Sequence, residues 1–183
     1  MSSQLPSNWI TQHCPAPSAG RNHALDLACG AGRHSFWLAQ QGWDITALDR
    51  DLSHVDHLAD RQADQQPDQS INWRQADLET GHWPPGNQQF DLIVVVNYLH
   101  RPLFDHLRNA TRSGGTIVYE TFMTGNEKIG RPRSPDFLLE KDELKNIFAD
   151  WDIIAFQQGP VRHGDSGITA IKQAIVAQRP LTS

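Results

Sequence analysis

Seven short β-forming runs are spread along this chain, and most are separated by segments with helical patterning. The runs cover residues 23–29, 44–49, 71–77, 90–98, 115–121, 151–157 and 169–177. Helical patterns cover 33–41, 52–65, 102–111 and 137–148. The first of these ends at Gly42, a residue suited to a helix C-terminus. The third stops before Ser113-Gly114-Gly115, and the fourth follows Ser134-Pro135-Asp136, a favourable helix start. Strands joined through helices imply βαβ units, a mainly parallel sheet and right-handed crossovers, with helices on both faces. Val94, Val95 and Val96 form an apolar run without alternation, as expected of a central strand covered on both sides. The last two runs have only a loop between them and are expected to pair as an antiparallel hairpin. A chain of 183 residues supports one domain with one core.

The segment Leu25-Asp-Leu-Ala-Cys-Gly-Ala-Gly-Arg33 reads as a strand running through a small-residue turn into a helix. Glycines there let the backbone approach a ligand, and the helix start offers unpaired N–H groups. Such a turn after the first strand of an open α/β sheet lies where these sheets bind ligands. Asp26, near the end of the strand, can face a cationic amino group. A dinucleotide site needs a third glycine, but Ser35 occupies that position, and Asp26 would repel a pyrophosphate. Asp49, at the end of the second run, is placed to accept both hydroxyls of a ribose, with Arg50 beside it. At the end of the third run, Asp77 can accept from an exocyclic amine while its neighbours Ala76 and Leu78 offer apolar surface; a strand-ending Asp is also a common turn residue.

Together, LDLACGAGR, Asp49, Asp77 and FDLIVVVNYLH resemble the successive motifs of the class I S-adenosylmethionine-dependent methyltransferases. The resemblance covers nearly the whole chain, and the size and C-terminal layout are similar to the small bacterial tellurite-resistance-type members. It implies a Rossmann-like, doubly wound α/β sheet of seven strands, mostly parallel with an antiparallel C-terminal hairpin. It implies S-adenosylmethionine as cofactor and S-adenosylhomocysteine as product. Asp26, Ala28, Cys29, Gly30, Ala31 and Gly32 would hold the methionine portion, Asp49 and Arg50 the ribose, and Ala76, Asp77 and Leu78 the adenine. Asn97 and Tyr98 would flank the reactive methyl. Ala28 stands where the family's turn has its first glycine. Residues 1–183 are expected to be a single domain, with 23–183 the core and 1–22 an N-terminal lid segment. In that segment a short helical piece carries Trp9 and Ile10, and Trp9 fits core packing and ligand contact equally.

Methyl transfer from a sulfonium is an in-line displacement, so positioning matters most, and a base is needed only for a protonated nucleophile. His100, Glu120 and Tyr98 are the catalytic candidates; His100 equally suits the start of the next helix. Tyr119 is a candidate for the acceptor side. Asn97-Tyr98-Leu99-His100 lacks the prolines that often follow this Asn in members acting on amide or nucleobase nitrogens. The loop from Thr124 to Pro135 gathers Lys128, Arg131 and Arg133. Arg131 and Arg133 are candidates for holding an anionic acceptor, against the alternative of a solvated connector.

Net charge is −5, which argues against a broad nucleic-acid-binding face. Two cysteines cannot build a disulfide framework, and no run approaches the roughly 20 apolar residues of a membrane span. The N-terminus has neither a basic start nor an apolar stretch, so a cytoplasmic protein is expected. His54 and His57 share a helical face, but no further ligand at suitable spacing completes a metal site. The expected partner is a small-molecule acceptor, with neither nucleic acid nor membrane. A non-catalytic cofactor-binding regulatory partner and an NAD-dependent oxidoreductase stand as alternatives.

Overall fold

The computed structural model describes residues 5–55, 71–162 and 167–181. Its strands are β1 His23–Leu27, β2 Asp44–Asp49, β3 Ile71–Gln75, β4 Phe90–Val96, β5 Thr111–Phe122, β6 Asp152–Arg162 and β7 Ile168–Gln178. Its α-helices among the described residues are α1 Asn8–His13, α2 Arg33–Gln40, α3 Phe104–Ala110 and α4 Glu143–Ile147. The strands form one sheet in the order β3-β2-β1-β4-β5-β7-β6. β1 to β5 are mutually parallel. β7 lies antiparallel between β5 and β6, so the terminal hairpin inserts its second strand against the parallel sheet.

Side-chain alternation along the strands divides the interior between the two faces of the sheet. Leu25, Leu27, Leu48, Ile93, Val95 and Ile117 face α3 and α4, packing with Phe104, Leu107, Leu144 and Phe148. Ala24, Ala47, Val94, Val96 and Val118 face the other way, onto Trp9 and Ile10 of α1 and Leu38 and Ala39 of α2. Every residue of β4 is buried, as its apolar run requires. No described helix is long and apolar enough to cross a membrane.

Two sequence expectations are corrected. The helix expected over 137–148 is only the short α4 at its end. Leu138 and Leu139 are instead drawn beside β5: the Leu139 N–H donates to the Phe122 carbonyl at 3.0 Å, and the Thr124 N–H donates to the Leu139 carbonyl at 2.9 Å. Asp142 then takes a left-handed φ of 60°, and the helix starts after it. Ser113-Gly114-Gly115 is not a stop between helix and strand, because β5 already begins at Thr111. It forms an irregularity within the strand, where a Cβ on Gly115 would lie 2.9 Å from the Arg112 carbonyl oxygen. Of the helical pattern at 52–65, residues 56–65 lie outside the described residues, as does the whole polar stretch 60–70; Ser53 to Val55 form a turn held by the Asp51 side chain.

Leaving β1, the chain builds outward through β2 and β3, then returns to place β4 on the other side of β1. This reversal opens a crevice beyond the carboxyl ends of β1 and β4.

Candidate active site at the carboxyl edge of the sheet

The β1–α2 turn supplies the centre of the crevice. Ala28, Gly30 and Gly32 all adopt left-handed φ values, of 55°, 55° and 76°. For Ala28 this costs about 1–2 kcal/mol, so its substitution for glycine is felt in the backbone. Gly32 has a second constraint, since a Cβ there would come within 2.5 Å of Trp73 Cη2. Across the crevice, Asn97 at the end of β4 is also left-handed, with φ 59°. Non-glycine residues held in this region cluster at functional sites. Cys29 is buried, and burial pushes its thiol above the usual range, leaving no nucleophile at the turn. Gly30 and Ala31 are exposed toward the crevice mouth.

Asp26 is only 1% exposed. Ser35, in the first turn of α2, donates its hydroxyl to the carboxylate at 2.6 Å. Burial nevertheless pushes the Asp26 pKa up to about 7, with the Ser35 hydrogen bonds and the field of Arg33 offsetting only part of that cost. The group is therefore a buried carboxyl that favours a nearby cation. Ser35, which breaks the dinucleotide pattern, is what holds it.

Asp49 stands half-buried at the end of β2 and accepts from the Gly30 N–H at 2.8 Å and the Asp51 N–H at 3.0 Å. It ties the glycine turn to the neighbouring strand while keeping acceptor capacity on both oxygens. Arg50 is exposed, its carbonyl accepting from Gln75. The Ala76 N–H donates to the Asp49 carbonyl at 2.9 Å, which brings the end of β3 alongside. Asp77 is exposed and caps its own turn through the Glu79 N–H, while Leu78 is buried in the core. Asp26, Asp49, Asp77 and Asn97 thus share one edge.

The candidates on the acceptor side are redistributed. Tyr119 is a core residue, 2% exposed, and its hydroxyl donates to the Tyr98 carbonyl at 2.9 Å; it supports the turn after β4 from beneath and does not line the crevice. Glu120 is also buried and engaged, accepting from Lys172 Nζ at 2.6 Å and from the Ser7 hydroxyl, so it is no free base. Tyr98 is half-buried, with its hydroxyl 3.5 Å from the Glu79 carboxylate. Burial and that acid push its pKa above the usual range, which keeps it a phenol and removes it as a base. His100 opens the short 3-10 turn before α3 and is partly exposed.

Arg131 and Arg133 are exposed. The arginine that grips the chain just after this loop is one that sequence reasoning missed, Arg101. It forms a two-point ion pair with Glu143 at 2.7 and 2.9 Å and donates to the carbonyls of Asp136 and Leu138. Asn126, 1% exposed, closes the loop from inside through Pro132 and Ile171. Trp9 and Ile10 settle into the core, and ahead of them the Leu5 carbonyl accepts from Arg33, the first residue of α2, at 3.3 Å. No group of three potential metal ligands gathers among the described residues, and His57 lies outside them.

A doubly wound α/β sheet with a crevice at its switch point defines a class of proteins that bind their ligands at that edge. A model of the methyltransferase domain family matches residues 24–115, half of the chain, and the chain belongs to that family. Among curated proteins it is 23% identical over 141 residues to the probable S-adenosyl-L-methionine-dependent methyltransferase TehB of Haemophilus influenzae, covering 73% of this chain and 47% of that one. It is 30% identical over 148 residues to the malonyl-[acyl-carrier protein] O-methyltransferase of a Paenibacillus species, covering 76% and 48%. The chain spans about half the length of these relatives. Its fold is that of the Haemophilus influenzae TehB crystal structure, with a TM-score of 0.69 at 19% identity, over 93% of this chain and 65% of that one. A SAM-dependent methyltransferase from Methanosarcina mazei gives the same TM-score at 15% identity, over 97% and 100%.

Proposed function

We propose that this chain binds S-adenosylmethionine in the β1/β4 crevice and transfers its methyl group to a small-molecule acceptor. The observation that carries the reading is Asp26, a buried carboxyl with a pKa raised to about 7 in front of a turn built for close backbone approach. A ligand with a cationic amino acid end restores the ionised form of that group, whereas a pyrophosphate would oppose it. This favours the sulfonium nucleoside over NAD.

In this reading Asp26 and Ala28–Gly32 hold the methionine portion, Asp49 the ribose with Arg50 at the rim, and Ala76, Asp77 and Leu78 the adenine. S-adenosylmethionine, when bound, supplies an electrophilic methyl on its sulfonium. Asn97 and Tyr98 bound the space beside that methyl and exclude water from it. His100, partly exposed at the turn after β4, is the base where the acceptor arrives protonated. Residues 1–22 act as a lid, and Arg131 and Arg133 meet an acceptor's negative charge at the loop surface. The net charge of −5 favours a small acceptor over nucleic acid, and a cytoplasmic setting fits the composition.

The test is S-adenosylhomocysteine release from labelled cofactor by the purified chain, offered thiols, amines, carboxylic acids and metalloid oxyanions. The expected result is release above background with one class, reduced at least tenfold in Asp49→Ala. Tight cofactor binding with no release from any class would favour the non-catalytic regulatory role.

A further inference from the structure

We propose that Glu120 and Lys172 are positioning residues: they latch α1 across the carboxyl edge of the sheet and so set how fast the ligand leaves. The proposal rests on the cofactor reading above. Glu120 is 6% exposed and lies near the end of β5, opposite Val96 of β4. Its carboxylate receives Lys172 Nζ of β7 at 2.6 Å and the Ser7 hydroxyl. Ser7 is the N-cap of α1, where its Oγ also accepts from the Trp9 N–H at 3.2 Å. The Ser7 backbone N–H donates to Nε2 of His34 at 3.2 Å. His34, in the first turn of α2, is buried, and its pKa is lowered to about 3 by that burial and by the charges of Arg33 and Lys172. It is therefore neutral and able to accept. β5, α1 and α2 thus meet at Ser7, and β7 joins them through the Lys172–Glu120 pair.

Three features make this junction a latch on the crevice. His34 is adjacent in sequence to Ser35, which holds Asp26. The Glu120 carbonyl accepts the Asn97 N–H at 2.8 Å, so the same residue fixes the turn after β4. The chain just before Ser7 runs to Leu5, whose carbonyl accepts from Arg33 beside the glycine turn. A ligand in the crevice is therefore bordered by a segment whose polar anchor is Glu120. A helix as short as α1 has little stability of its own, so its position depends on what holds its ends. Lys172 neutralises the carboxylate that α1 depends on; without it the carboxylate is a buried, unpaired charge.

The experiment compares the full chain with Ser7→Ala, Ser7→Thr, Lys172→Met and Lys172→Arg. Amide exchange at Thr11, whose N–H donates to the Ser7 carbonyl, reports the latch, and exchange in β4 reports global unfolding. Stopped-flow displacement gives the S-adenosylhomocysteine dissociation rate. Lys172→Met is expected to raise exchange at Thr11 at least tenfold and dissociation at least fivefold with β4 unchanged. Ser7→Ala should do the same, and Ser7→Thr and Lys172→Arg should restore both. Loosening in Ser7→Ala alone would reduce Ser7 to a helix cap and overturn the proposal, as would looser exchange with unchanged dissociation. If the wild-type chain bound no S-adenosylhomocysteine, the cofactor reading would fall, and the exchange at Thr11 in Lys172→Met would still decide the latch.

Discussion

At the residue scale, the Asp26 carboxyl sits near the midpoint of its titration at neutral pH because burial outweighs its hydrogen bonds. Its pKa moves from 3.8 in the unfolded chain to about 7 in the folded one. Between these values the folded state binds more protons, so this group's contribution to stability falls as pH rises and levels off above about pH 7. Asp26→Asn should therefore melt at or above the wild-type temperature, with a gain that is absent below about pH 4 and largest near pH 8. It should also bind the ligand more weakly, though still measurably. Calorimetric scans across pH check this, and a variant less stable than wild type at pH 8 would contradict it. That Asp26, Asp49 and the glycine turn share one edge was legible in the sequence because they lie within one strand–turn–helix–strand unit, β1 to β2. Glu120 and Tyr119 were not. They are adjacent on one strand, so they face opposite sides of the sheet, and nothing local says which side meets the crevice. The hydrogen bond to Ser7 spans 113 positions and the ion pair with Lys172 spans 52, separations that no motif encodes.

At the scale of elements, the strands were readable because β-branched and apolar residues cluster in them with turn residues between. Their ends ran long or short where backbone pairing decided the matter, as in β5, which starts four residues before the expected run. The misread helix over 137–148 shows the same limit. Phe137, Leu144, Ile147 and Phe148 carry helical spacing, but the backbone of Leu139 pairs with Phe122 and Thr124 and holds the first half extended. Arg101 then fixes that extended piece to α4 through Glu143 and two carbonyls. The ion pair is partly exposed and contributes about 1 kcal/mol, with the carbonyl contacts adding a similar amount. Arg101→Ala should lower the melting temperature by a few degrees and raise amide exchange at Leu139 and Thr124, leaving β1 and β2 protected. Unchanged exchange at Leu139 would show that the loop is held by its buried leucines alone.

At the scale of the whole molecule, the order β3-β2-β1-β4-β5-β7-β6 converges the glycine turn, Asp49, the end of β3 and the left-handed Asn97 on one edge. The faces below it are filled by two separate core clusters, leaving the crevice as the place where strain and an uncompensated acid are kept. In the proposed function this edge holds S-adenosylmethionine through Asp26 and Asp49. Calorimetric titration of the chain with S-adenosylmethionine, S-adenosylhomocysteine and NAD tests it most directly, run at pH 6 and pH 7.5. The expected result is micromolar binding of the two sulfur ligands, roughly five- to tenfold tighter at pH 7.5 because Asp26 must be ionised. That pH dependence should vanish in Asp26→Asn and the binding in Asp49→Ala. Binding of NAD alone, or sulfur-ligand affinity indifferent to both substitutions, would contradict it.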